Sequence, residues 1–191
     1  MPRAGLDRAA VVDAARTLAD RAGLEALTLK AVAAHLGVKP PSLYNHVESL
    51  DALRRELALE GMQALWAAFA GATAGRSRGD AVRALARAYR DFALEHPGLY
   101  AAASVAPAKT DEEAQGASAR VVGVVLAVLS GYGLSDEDAI HATRAIRAAL
   151  HGYVQLEMHG GFGLAVDVDA SFERMVDILV RGLETAGQRE A

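Results

Sequence analysis

Helical periodicity constrains this chain more than any other feature. Apolar residues recur at three- and four-residue spacing in almost every segment, and the period-two alternation of a strand is nearly absent. Capping residues, Gly and Pro divide the pattern into separate helices. A first helix is expected after Asp7, with Val11, Ala15, Leu18 and Ala22 on one stripe and Gly23 as its stop. Thr28 is expected to cap a short second helix with Leu29, Val32, Ala33 and Leu36 inward, ended by Gly37. A third short helix follows, with Pro41 at its first position and Leu43 and Val47 four residues apart. Ser49 caps a fourth, striped by Leu50, Leu53, Leu57, Met62, Trp66 and Phe69.

After the loop "GATAGRSRGD", Asp80 is expected to open a helix carrying Val82, Leu85, Tyr89 and Phe92, closed at His96-Pro97. A short helix around residues 99–104 comes next. Thr110 and Glu113 have the spacing of a capping box for a long helix ending near Leu129. Its β-branched cluster, Val121 to Val128, suits a strand by composition, but no second strand exists to pair with it. Ser135 opens another long helix to about His159. Asp169 is expected to cap the last, with Phe172, Val176, Leu179, Val180 and Leu183 inward. The expectation is an all-α chain of about nine helices. A three-helix head, residues 1–50, joins a helical bundle, residues 51–191.

Composition narrows the function classes. No cysteine is present, so disulfides and thiolate metal sites are excluded. The N-terminal stretch lacks the continuous apolar core of a signal peptide. The longest apolar run, from Val121, is shorter than the ~20 residues that span a bilayer. A cytoplasmic protein without membrane attachment is expected. Net charge is −4, yet residues 1–55 hold eight Lys/Arg against six Asp/Glu, while the rest holds twelve against eighteen. A mildly positive head on an acidic body suits a protein that presents one end to a polyanion.

Residues 28–47 have the anatomy of a helix-turn-helix: a short helix, a Gly turn and a second short helix. Gly37 supplies the left-handed turn, Ala33 is small where the helices cross, and Leu36, Val38 and Leu43 fill the contact. Such a second helix can lie in a DNA major groove with its N-terminal residues at base edges. Thr28, Tyr44 and His46 carry donors suited to phosphates.

The run "TLKAVAAHLGVKPPSLYNHV", preceded by a Val/Ala/Leu-striped helix, resembles the DNA-binding domain of the tetracycline-repressor (TetR) family of bacterial regulators. The later stretches "ALHGYVQLEMHGGFG" and "DVDASFERMVDILVRGL" resemble the family's subgroup with a His-Gly motif in the penultimate helix, the WHG-type C-terminal domain. The tryptophan of that motif is missing before His151-Gly152. The resemblance implies base-edge contact from Lys30, Lys39, Pro41, Ser42 and Asn45, and phosphate contact from Thr28, Tyr44 and His46. It implies a double-stranded DNA operator, a small-molecule effector of unknown identity, and a homodimer built on the last two long helices. Two positions depart from the pattern. Leu50 stands where the family usually has a phosphate-binding Lys, so that contact is lost or supplied by Arg54 or Arg55. Pro40 stands where many members place a polar base-reading side chain.

The remaining candidates divide between core and ligand pocket. Met62, Trp66, Tyr89, Phe92 and Tyr100 form an apolar and aromatic group that reads either as core or as the lining of an effector cavity. His151 reads as an interior histidine or as a hydrogen-bonding group for the effector. His141, His151 and His159 share one expected helix, but not at the spacing of a metal pair. "GGFG" at 160–163 lacks the lysine and following helix of a phosphate loop and reads as a turn. No nucleophile, base and orienting group share a plausible site, so no catalysis, cofactor or metal is expected. The leading expectation is a ligand-responsive DNA-binding regulator of transcription, acting as a repressor. The alternative is a helical sensor or carrier of small molecules that acts through protein partners, its DNA head non-functional.

Overall fold

The computed structural model describes residues 6–188. Arg3, one of the head's eight cations, lies outside them. Among the described residues eight α-helices occur in order: α1 (Arg8–Ala22), α2 (Leu29–Leu36), α3 (Leu50–Thr73), α4 (Arg78–Glu95), α5 (Pro97–Ser104), α6 (Glu112–Leu129), α7 (Asp136–Met158) and α8 (Val168–Gly187). Three 3₁₀ turns lie between them, at Leu24–Ala26, Pro40–Asn45 and Ser130–Tyr132. No strand occurs among the described residues, and Val121 to Val128 are helical.

Local chemistry sets most boundaries as expected. Asp7, Thr28, Ser49 and Ser135 each accept a backbone N–H three residues on. Gly37 is left-handed, at φ 68° and ψ 29°, and ends α2. Four expectations need correction. The third helix is a 3₁₀ turn that begins at Pro40 rather than Pro41. Six residues are too few to propagate an α-helix. α4 starts at Arg78, ahead of Asp80, because the Ser77 carbonyl already accepts the Ala81 N–H. α6 is capped by Asp111, whose Oδ1 accepts the Ala114 N–H at 3.1 Å, and not by Thr110. α8 is capped by Asp167 rather than Asp169. A fifth correction concerns length. Glu112–Tyr132 is long and apolar enough, by length and composition, to cross a membrane, because interspersed Gly and Ser extend the apolar run.

The chain forms two compact units. The first contains the described residues of Met1–Ala64 together with Glu95–Ala117. Its core includes Val11, Ala15, Ala19, Leu27, Val32, Leu43, Leu53 and Leu57. In α1 the buried stripe uses Ala14 and Ala19, while Ala22 is exposed and Leu18 half-buried. α5 approaches α1 and α3 through glycines. A Cβ on Gly98 would lie 2.5 Å from the Ala19 carbonyl carbon, and one on Gly61 would lie 2.6 Å from the Leu99 oxygen. Asp20 accepts the Gly98 N–H at 2.8 Å and holds α5 at this distance.

The second unit contains Leu65–Leu94 and the described residues of Ser118–Ala191. Its core includes Phe69, Val82, Leu85, Tyr89, Leu129, Leu150, Val154, Phe172, Val176 and Val180. Three arginines on α4 meet carboxylates of α7 and α8. Arg83 Nε lies 3.0 Å from Asp177, and Arg87 makes two 2.7 Å bonds to Glu173. Arg90 bonds Glu157 at 2.8 and 2.5 Å and Asp169 at 2.5 Å. Rising positions on α4 pair with falling positions on α8, so the ladder fixes their antiparallel register. The Arg90 guanidinium also lies 4.9 Å from the Phe172 ring centre.

Candidate nucleic-acid interface

The helix-turn-helix is built from the inside outward. Val32 and Ala33 of α2 are buried, as are Leu43 and Val47 beyond the turn. The turn closes with the Val38 N–H on the Ala33 carbonyl at 3.0 Å and the Gly37 N–H on Ala34 at 3.2 Å. Lys39 is extended, at φ −82° and ψ 143°, as the residue before a proline must be. The Ser42 N–H then bonds the Lys39 carbonyl at 2.9 Å. The His46 and Val47 N–H groups share the Leu43 carbonyl at 2.8 and 2.9 Å. This bond pair turns Leu43 and Val47 to the same buried side.

The opposite side carries the residues expected to meet DNA. Thr28, Lys30, Lys39, Pro41, Tyr44 and Asn45 are exposed, and Ser42 and His46 are half-buried. Tyr44 is 60 % exposed, far more than a tyrosine that serves as packing. Thr28 spends its hydroxyl as acceptor for the Ala31 N–H at 3.1 Å. Among the described residues, the side chains of Lys30, Lys39, Ser42, Tyr44, Asn45 and His46 form no hydrogen bond or ion pair.

Leu50 is half-buried at the start of α3. Neither neighbouring arginine offers a free charge in its place. Arg54 lies 3.9 Å from Asp51, and its buried Nε makes no hydrogen bond. Arg55 donates to both Asp111 oxygens at 2.5 and 2.7 Å and to Glu113 at 2.8 Å. Those bonds, ahead of any other cause, hold the Asp111 carboxyl down to about 2, with help from the Ala114 N–H. Arg8 pairs with Glu56. Arg8 and Arg55 line one cleft of about 450 Å³ together with Tyr44, Asn45 and His46. Sequence reasoning offered Arg55 as a phosphate contact and missed its two carboxylate partners, which lie more than fifty residues away.

The candidate effector residues fall in both units. Met62 and Tyr100 are buried in the first. In the second, Tyr89 and Phe92 are buried, and Trp66 and His151 are half-buried. The Tyr89 ring stacks on Phe69 at 6.2 Å. Burial, then the nearby Arg147 charge, lowers the His151 pKa and favours its neutral form. Among the described residues, no group of three or more His, Cys, Asp or Glu is placed to hold a metal ion.

Two family patterns match the chain. "Bacterial regulatory proteins, tetR family" covers residues 11–57, and "Tetracyclin repressor-like, C-terminal domain" covers residues 82–179. An HTH-type transcriptional regulator of Mycobacterium tuberculosis, Rv0681, is 43 % identical over 182 residues, which is 95 % of this chain and 83 % of that protein. The regulator YobS of Bacillus subtilis is 38 % identical over 184 residues, 95 % of each chain. Among solved structures, a Rhodococcus protein of unknown function superposes with a TM-score of 0.78 at 25 % identity, covering 96 % of this chain and 99 % of its own.

Proposed function

Since the chain belongs to the tetracycline-repressor family and is a DNA-binding transcriptional regulator, we propose that it is a repressor released from its operator by a small molecule. Residues 1–50 serve as the DNA-reading part and residues 51–191 as the ligand-binding and dimerisation part. The observation that carries this reading is the outward face of the helix-turn-helix. Six polar side chains stand there without a partner among the described residues, on a backbone fixed from beneath by Leu43 and Val47. Polar groups held in one geometry and left unpaired are prepared for a partner outside the chain.

In this reading Tyr44, His46 and the Thr28 region meet phosphates and set the docking register. Lys30, Lys39, Ser42 and Asn45 reach base edges. Pro40 and Pro41 stiffen the leading edge and leave it only apolar contact, such as with a thymine methyl. Two heads of a homodimer read the halves of a palindromic site. Ile140 and Leu156 on α7 and Ile178 on α8 are exposed apolar residues of the kind a dimer face covers. The effector is taken up within the second unit, among Trp66, Tyr89, Phe92 and His151, and favours the conformation with lower operator affinity. The protein works in the cytoplasm.

The test is selection of a site from randomised duplex DNA, followed by titration at several salt concentrations. Tyr44→Ala is expected to weaken binding to all sequences about fivefold, the worth of roughly one hydrogen bond. Lys30→Ala and Ser42→Ala are expected to change the preferred bases. Wild-type affinity for Tyr44→Ala on the selected site would overturn this docking.

A further inference from the structure

The cleft beside the proposed recognition segment holds a cation whose neighbours are DNA-facing and whose partners are not. Arg55 shares the cleft with Tyr44, Asn45 and His46, yet its guanidinium is bound by Asp111 and Glu113. The geometry of that binding is the one an arginine makes with a phosphate. Asp111 accepts through both oxygens, and Glu113 adds a third acceptor. We propose that Arg55 is a phosphate anchor for operator DNA, which Asp111 and Glu113 hold in check in the free protein.

Three features make the exchange feasible. The Arg55 and Glu113 side chains are 41 % and 70 % exposed, so solvent competes with their pair. Duplex DNA presents one negative charge per ~1.7 Å of helix axis, a denser array than two carboxylates. The start of α3 also leaves a place for a phosphate-binding cation unfilled, because Leu50 there carries no charge. Arg54 does not fill it, being turned toward Asp51 with a buried Nε.

The two carboxylates therefore act as a brake on DNA affinity. They sit at the beginning of α6, which runs on to Leu129 in the second unit. The inference rests on the recognition segment facing DNA, and Tyr44→Ala tests that premise separately.

Anchor and brake have different signatures in salt titrations on the selected duplex. Asp111→Asn/Glu113→Gln removes both charges, and Asn keeps the cap of α6. It is expected to bind about three- to tenfold tighter with an unchanged slope of log K against log salt, since the phosphate contacts stay the same. Arg55→Ala is expected to bind more weakly, with a slope shallower by about 0.9, one phosphate contact. Arg55→Lys is expected to keep the slope. Combining Arg55→Ala with the two neutral variants is expected to match Arg55→Ala alone, because the brake then has nothing to hold. A gain in that triple variant equal to the gain in the native background would reveal a general charge effect and overturn the brake. An unchanged slope in Arg55→Ala, with Tyr44→Ala still weakened, would overturn the anchor alone. Loss of the Tyr44 effect as well would overturn the docking beneath both. If Arg55→Ala does not fold, as judged by circular dichroism, Arg55→Gln serves in the same slope measurement.

Discussion

On the outer face of the helix-turn-helix, Lys30, Lys39, Ser42, Tyr44, Asn45 and His46 meet no partner among the described residues. Along α4, Arg83, Arg87 and Arg90 each meet a carboxylate of α7 or α8. Both surfaces are polar, and both belong to helices with a buried apolar side. They differ in where the complementary charge resides. The α4 seam contains its own, so its side chains fix the register of the fold. The helix-turn-helix leaves its polar groups unmatched, so its complement must come from outside. Substitutions at the first kind of position should be felt in stability, and at the second kind in DNA binding.

The largest expected effect lies beneath the outer face of the helix-turn-helix. Leu43 is fully buried, and Leu43→Ala should cost about 2–5 kcal/mol, the range for emptying a packed leucine site. Denaturant unfolding measures the loss, and operator binding should fall with it because the segment loses its seat. A small loss of stability with intact binding would mean that the segment does not depend on this contact. Next comes Arg90, whose side chain is 15 % exposed and faces Glu157 at 18 %. Arg90→Met leaves that carboxylate without its cation and should cost about 2–3 kcal/mol, below the range for fully buried pairs because both groups keep some water. Folded Arg90→Met should still bind operator DNA with wild-type affinity. A selective loss of binding would break the division between the two surfaces.

The two surfaces were also unequally legible in the sequence. The head could be read almost residue by residue. Asp7, Thr28, Ser49, Gly23 and Gly37 are local signals, and each acts within four residues of its own position. The candidate DNA contacts were legible for the same reason, since a short polar run on a short apolar helix has one side to face. The 3₁₀ form of Pro40–Asn45 was harder to foresee. Both proline positions suited a helical start, and only the shortness of the run, which stops at His46, keeps it from winding as an α-helix. The α4 ladder was not legible at all. Arg83 and Asp177 are 94 residues apart, and Arg90 and Glu157 are 67. Nothing local distinguishes those arginines from solvated ones such as a helix surface commonly carries. The pairing of Arg55 with Asp111 was hidden likewise, and there it changed the meaning of a residue already singled out.

Tyr132 gives a smaller test of the rule that the fold satisfies its own interior. Its ring is buried beneath the Arg78 guanidinium, 5.4 Å from the ring centre, but its hydroxyl is buried without a hydrogen bond. Burial pushes the phenol pKa up, ahead of the effect of Glu184. Tyr132→Phe removes an unsatisfied group and keeps the packing, so it should stabilise the protein by up to about 1 kcal/mol in thermal or denaturant unfolding. Destabilisation would show that the hydroxyl has a partner in solution, and the second unit would then have an exception fewer.

The smallest expected effect concerns Asp111. Its carboxyl is held at about 2 chiefly by the Arg55 hydrogen bonds and then by the Ala114 N–H. An aspartate in the unfolded chain titrates near 3.9. The folded value is depressed, so the ionised carboxylate stabilises the fold fully above the unfolded value, and the contribution disappears as pH falls through the folded one. The difference in melting temperature between wild type and Asp111→Asn should therefore be constant from pH 7 to about 5. It should shrink below about 4 and vanish only well below 2. In an Arg55→Ala background the shrinkage should be much weaker, leaving the share that comes from the Ala114 N–H. A difference that stays flat in acid would mean that Arg55 is not paired in solution. Arg55 would then join the unpartnered polar groups on the outer face of the helix-turn-helix, and the proposed anchor would have no brake to release.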